Sequence, residues 1–165
     1  MTPNDPGQGQ PTLSVPTALR WAWFWWAILL AAPFLFLQWL IWRFARGEVG
    51  QSHADAEKWF VAAIAYFVLV LPASFFWRRR LFKDYWLGRP VEPRRYIIAT
   101  ISVGLAIAVG GTFSLIGCFV TGSLMPNLIP ALLALLLFVL HWPTGRAMVK
   151  PVGHADDPQV YEEPR

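Results

Sequence analysis

The side chains that could hold a metal, a proton or an electron pair are few in this chain, and they lie far apart. His53-Ala-Asp55-Ala-Glu57 and His154-Ala-Asp156-Asp157 each set an imidazole near carboxylates. These are the donor types of zinc and calcium sites, but each run offers only two or three ligands on a segment that reads as loop or tail. Asp55 and Glu57 have a simpler use at the positive end of a helix. Neither run is assigned as a metal site. The single cysteine, Cys118, permits no intrachain disulfide. A haem b bundle needs paired axial histidines on facing helices, and here only His141 lies near an apolar segment. His141 next to Trp142 reads as an interfacial anchor, and Gln38 as a helix-to-helix hydrogen bond or an edge residue. No phosphate loop or nucleophile elbow occurs. Asp84, Glu92 and His154 form no arranged set. The expectation is a protein without catalytic residues, cofactor or metal, and not an enzyme.

What would position such residues is a series of long uncharged runs. There are 22 residues without charge between Arg20 and Arg43, 19 between Lys58 and Arg78, and 50 between Arg95 and Arg146. A membrane-spanning helix needs about 20 apolar residues. The first two runs hold one span each. The third holds two, divided by the turn signals of Thr121-Gly-Ser-Leu-Met-Pro-Asn127. The fold class expected is therefore all-α: an integral membrane protein of four transmembrane helices in two hairpins. The spans predicted are 17–42, 53–80, 96–121 and 124–142, together a domain over 17–142. Pro33 predicts a kink in the first span. Ser52 and Asp55 suggest a capping box for the second, and Asn127 a cap for the fourth, with Pro130 in its first turn. From that cap only about 15 residues remain, about 22 Å of helix, which is short for a roughly 30 Å hydrocarbon core. A start nearer Ser123, local thinning or a re-entrant segment would each resolve this. Residues 1–16, rich in Pro, Gly and Gln, read as a disordered tail, and 143–165 as a flexible acidic one.

The chain is tryptophan-rich, with ten in all. Trp21, Trp23, Trp25 and Trp26 open the first span, Trp39 and Trp42 close it, Trp59 and Trp77 bracket the second, and Trp142 ends the fourth. Indole favours the headgroup boundary, so these mark membrane edges. Four crossings put eleven Lys and Arg on one side and three on the other; if the last segment failed to cross, the split would be eight to six. The positive-inside rule then places both termini and the 78–95 loop in the cytoplasm; the size and style of the chain suggest a bacterial inner membrane.

Two constellations remain. In the third span Ser102, Ala106, Gly110, Ser114 and Cys118 recur every four residues, beside Gly104, Ala108 and Gly111. A row of small residues lets another backbone approach closely. It serves either packing within the chain or a contact with a membrane partner or a second copy, and Ser102, Thr112, Ser114 and Thr121 could bond across helices. The other is the basic loop Arg78, Arg79, Arg80, Lys83, Arg94 and Arg95. There Leu81, Phe82, Tyr85 and Trp86 share one helical face, ended by Gly88 and Pro90, as in an interfacial amphipathic helix. Its ligand would be anionic lipid head groups or a partner protein. Nucleic acid is disfavoured beside a negatively charged bilayer. No Asp, Glu, Lys or Arg lies within the apolar run of any predicted span, which argues against proton- or ion-coupled transport. The function expected is a non-enzymatic accessory, assembly or scaffold component of the membrane. The alternative is a small channel or carrier for a neutral or hydrophobic solute, lined by Ser, Thr and Gly of the third span.

Overall fold

The computed structural model describes residues 13–48 and 55–149. Helix α1 covers Val15–Ala45, α2 Ala56–Leu81, α3 the single turn Lys83–Trp86, α4 Pro93–Thr121 and α5 Leu128–Leu140, and a 3-10 turn follows at Arg146–Met148. No strand occurs among the described residues. Helices α1, α2 and α4 are long and apolar enough to cross a membrane; α5, with 13 residues, is shorter. The chain is accordingly a helical membrane protein.

Helix α4 is the axis, and α1, α2 and α5 pack around it. α1 turns Ala18, Ala22, Trp26, Pro33, Leu37 and Leu40 inward, a stripe at helical spacing. α2 does the same with Ala63, Phe67 and Leu71. Pro16 falls in the first turn of α1 and Pro93 in that of α4, where a missing N–H costs nothing. Away from α4 the surface is apolar: Leu69 is 70% exposed and Leu35 64%, a periphery suited to hydrocarbon rather than water.

Side chains bury in three layers. Ala18, Ala22, Phe82, Val91, Tyr96, Ala99 and Met148 fill one end. Trp26, Phe67, Val103, Ile107, Ala134 and Phe138 fill the middle. Leu37, Leu40, Leu115, Cys118 and Ala131 fill the other end. The last part of the chain passes through all three, with Ala131 in one end layer, Phe138 in the middle and Met148 in the opposite end layer.

Several sequence expectations change. α1 overruns its predicted span at both ends, α2 at its end and α4 at its start, while α4 stops at Thr121 as predicted; residues 53 and 54, like Ser52 of the suggested capping box, lie outside the described residues. α1 begins at Val15, inside the predicted tail. Trp26 is not an edge residue. It is buried, its ring 4.9 Å from that of Phe138 in a T-shaped pair, because α1 has already turned its packed face there toward α4. Asn127 makes no side-chain cap; its Nδ2 donates to the carbonyl of Ala56 at 3.3 Å, tying the α4–α5 turn to the start of α2. The fourth span is helical only over Leu128–Leu140. Pro143 disfavours helical backbone at Trp142, and Gly145 turns the chain at φ +72°.

A Cβ built on Gly111 would sit 2.9 Å from Cβ of Ala134, too close for either backbone to avoid moving. Gly111→Ala should therefore separate α4 from α5 and destabilise the bundle by about 1–3 kcal/mol. Thermal unfolding in detergent, followed by near-UV circular dichroism, should show a lowered midpoint, and adding Ala134→Gly should recover most of it. An unchanged midpoint in the single variant would mean that the helices do not touch there.

Candidate functional site

The small-residue row of α4 is used up inside the chain. Ala106, Gly110, Ser114 and Cys118 are buried and Ser102 half-buried. An added Cβ at Gly110 would meet Phe67 Cζ at 2.8 Å and Tyr66 Cε1 at 2.9 Å, both from α2. The hydroxyls do not bond across helices as the sequence suggested. Ser102, Ser114 and Thr121 donate to the carbonyls of Ile98, Gly110 and Gly117, four residues back in their own helix. Short side chains reach that acceptor first. The bond between helices comes from a longer arm, Tyr66 Oη donating to the Ala106 carbonyl at 3.0 Å. Gln38 is exposed, off the packed face of α1. Of the two His–carboxylate runs, His53 and the whole of 154–157 lie outside the described residues, while Asp55 pairs with Lys58. His141 donates from Nδ1 to the Leu137 carbonyl at 2.9 Å and lies against Phe75, so its ring is held at the end of α5.

The basic loop builds a more open site. α2 runs straight through the three arginines to Leu81, so Arg78, Arg79 and Arg80 crown its last turn. The basic amphipathic helix predicted after them is reduced to one turn, and its apolar face is split. Phe82 points inward and stacks on Tyr96 at 5.9 Å, whereas Trp86 is 68% exposed. The break at Phe82, a non-helical residue with ψ 21°, rotates α3 off the register of α2. Gly88, at φ +72°, ends the turn.

Two clefts flank the last turn of α2. The larger, about 510 Å³, is lined by Phe75, Arg78, Arg79, Phe82, Tyr85 and Trp86 and, from beyond α5, by Thr144, Arg146 and Ala147. The smaller, about 380 Å³, is lined by Phe76, Arg79, Arg80, Lys83, Trp86 and Leu87. Arg79 and Trp86 form the wall between them, with the guanidinium carbon 5.8 Å from the ring centre, and Arg78 lies 5.1 Å from the ring centre of Phe82. Among the described residues no carboxylate lines either cleft. The nearby acids are both taken by Arg95, whose Nη1 is 2.9 Å from Asp84 and whose Nε is 3.3 Å from Glu92. Of the predicted basic residues, the fold therefore gathers Arg78, Arg79, Arg80 and Lys83 around the clefts. Arg95 is diverted into ion pairs, and the exposed Arg94 lines neither cleft.

Arg146 and Thr144 were missed at the sequence level because they fall in a segment that reads as a free tail. They are brought back by two bonds: the Gly145 amide donates to Tyr96 Oη, and the Val91 amide donates to the Ala147 carbonyl, each at 2.9 Å. The signals were present as Pro143 and Gly145, which stop the helix and turn the chain, with Met148 as an apolar plug between Ala18 and Ala22. Comparison with known proteins adds no family: no protein-family model matches this sequence, and neither a curated protein nor a solved structure matches it.

Tyr96→Phe tests the clamp. It leaves the buried Gly145 amide without its acceptor, which costs about 1–3 kcal/mol. Hydrogen exchange should speed up selectively over residues 143–148, with the exchange of α4 near Ile107 unchanged. Equal exchange in both proteins would show that this bond does not hold the segment.

Proposed function

We propose that this chain is a non-catalytic accessory, assembly or scaffold component of a bacterial inner membrane. It is threaded four times with both termini in the cytoplasm, and it works through its basic end. The observation that carries this reading is the segregation of charge. Among the described residues Arg20, Arg78, Arg79, Arg80, Lys83, Arg89, Arg94, Arg95 and Arg146 gather at one end, with Asp84 and Glu92 as the acids beside them. At the other end Arg43, Arg46 and Lys58 are matched by Glu48, Asp55 and Glu57. Such an imbalance orients a membrane protein with its basic end inside, and the cations left over offer a surface for anionic partners or head groups.

The fourth crossing rests on α5 together with 141–149. Thirteen helical residues span about 20 Å, and the following turn and 3-10 helix carry the chain into the layer that holds the start of α1. Non-helical backbone at membrane depth is tolerated where protein covers it and its polar groups are paired. The bonds to Tyr96 and Val91 pair two of those groups with the bundle. A partner or a second copy would meet the exposed apolar flanks of α1, α2 or α5, since the small residues of α4 are already occupied. The same occupation weakens the alternative of a solute path along α4, because Ser102 and Ser114 spend their hydroxyls on their own helix.

Isolation of the full-length protein from native membranes in mild detergent should yield a complex heavier than one chain, with a co-purifying membrane protein or a second copy. A cytoplasm-only fluorescent reporter fused after Arg165 should be bright. A lone monomer that passes small solutes in liposomes would overturn the functional reading, and a dark but well-expressed fusion the threading.

A further inference from the structure

We infer that the larger cleft binds one anionic phospholipid, its phosphate held between Arg78 and Arg146 and an acyl chain laid along Phe75. This deepens the reading above and rests on the basic end lying at a headgroup layer. Three features of the cleft argue for it.

The first is charge. Arg78 and Arg146 come from different parts of the chain, yet both line one opening of about 510 Å³, within the usual range of ligand pockets. Neither forms an ion pair among the described residues, and Arg95 keeps Asp84 and Glu92 out of the lining. Guanidinium groups facing a cleft without carboxylates favour an oxyanion, and phosphate suits their paired N–H donors.

The second is the join of polar and apolar surface. Phe75 lies one turn below Arg78 and Arg79 on α2, and Trp86 lines the same cleft. Below Phe75 the same flank of α2 stays apolar, with Pro72 exposed and Val68, seven residues back, 64% exposed. A soluble phosphate would use the cationic rim and leave that wall uncovered. A nucleic acid would need a basic track extending away from the apolar flank. An amphipathic ligand with its charge at one end uses both.

The third is preorganisation. Arg146 is not on a free tail: the Gly145–Tyr96 and Val91–Ala147 hydrogen bonds fix the backbone on either side of it. Arg78 rests on the Phe82 ring, which is itself stacked on Tyr96. Both cations are thus referred to one buried side chain, which lowers the cost of ordering them around a ligand.

The test is a titration of the full-length protein in maltoside micelles with phosphatidylglycerol or phosphatidylcholine, with bound lipid counted by native mass spectrometry. One phosphatidylglycerol should bind in preference to phosphatidylcholine. Arg78→Gln with Arg146→Gln should weaken it about thirty-fold, taking two head-group contacts of ordinary strength. Arg89→Gln with Arg94→Gln removes the same charge outside the cleft and should leave the affinity within about two-fold, since neither side chain lines it. If Arg78→Gln fails to fold, Arg146→Gln alone, at an exposed position, should weaken binding about five-fold. Equal losses in the two double variants, equal binding of the two lipids, or displacement by soluble glycerol phosphate at matched concentration would each overturn the site. Lipid counts in micelles depend on neither threading nor partner. A failed co-purification therefore leaves this result standing, and a failed titration leaves the partner reading standing.

Discussion

How closely three helices can approach α4 decides everything else in this bundle. In hydrocarbon there is no water to expel, so helices adhere by contact between surfaces rather than by a hydrophobic driving force. Contact requires that something be absent, and on α4 what is absent is side chain. Gly104 receives Leu29 and Trp26 of α1, Gly110 receives Phe67 and Tyr66 of α2, and Gly111 receives Ala134 of α5. Each glycine weakens α4 as an isolated helix, by about 0.5–1 kcal/mol relative to alanine. The loss is offset by the large rings it admits, whose contact areas are among the greatest available to side chains. The bulk removed from the central helix thus reappears on the outer ones, and the interior is filled without any charged group.

A second constraint follows from the shortness of α5. A helix that stops early leaves carbonyls and amides to be satisfied by something else, and in an apolar setting each unsatisfied group costs several kcal/mol. The chain meets this by folding 141–149 onto the bundle rather than leaving it loose. His141 returns to Leu137 through both its backbone amide and its ring. Gly145 takes the Tyr96 hydroxyl, and Met148 fills the gap left by Ala18 and Ala22. The small residues at the start of α1 therefore do for the tail what the glycines of α4 do for the other helices.

The spans were legible because their signal is coarse. Absence of charge over some twenty residues survives any uncertainty in packing, and α1, α2 and α4 are visible from it. The row from Ser102 to Cys118 was legible as a packing surface, but which helix it meets was not. Helix faces give directions only relative to their own axis, and Phe67 and Trp26 are apolar residues like many others until the register between helices is known. Trp26 shows the limit most clearly. In the sequence its indole is grouped with Trp21, Trp23 and Trp25 at the membrane edge, and only the inward stripe through Ala18, Ala22 and Trp26 separates it from them. The cleft was half legible. Arg78 and Arg79 stand out in the sequence, whereas Arg146 and Thr144 are brought to them by bonds that span 49 residues from Tyr96 and 56 from Val91.

The two ends of the bundle use the same residue types to opposite effect. At one end Arg43 and Arg46 lie over Trp39 and Trp42, and Glu48 forms ion pairs with both, so the cations are covered by rings and neutralised by a carboxylate. At the other end Arg78 and Arg79 again lie over rings, Phe82 and Trp86, but the carboxylates are withdrawn to Arg95. An aromatic face holds a guanidinium weakly, by about 0.5–1 kcal/mol at exposed sites, and leaves its N–H donors free. A carboxylate occupies them. The first end is therefore closed electrostatically and the second open. The open donors sit where the apolar flank of α2 stops, so this end sets cations without a carboxylate partner among the described residues beside apolar surface.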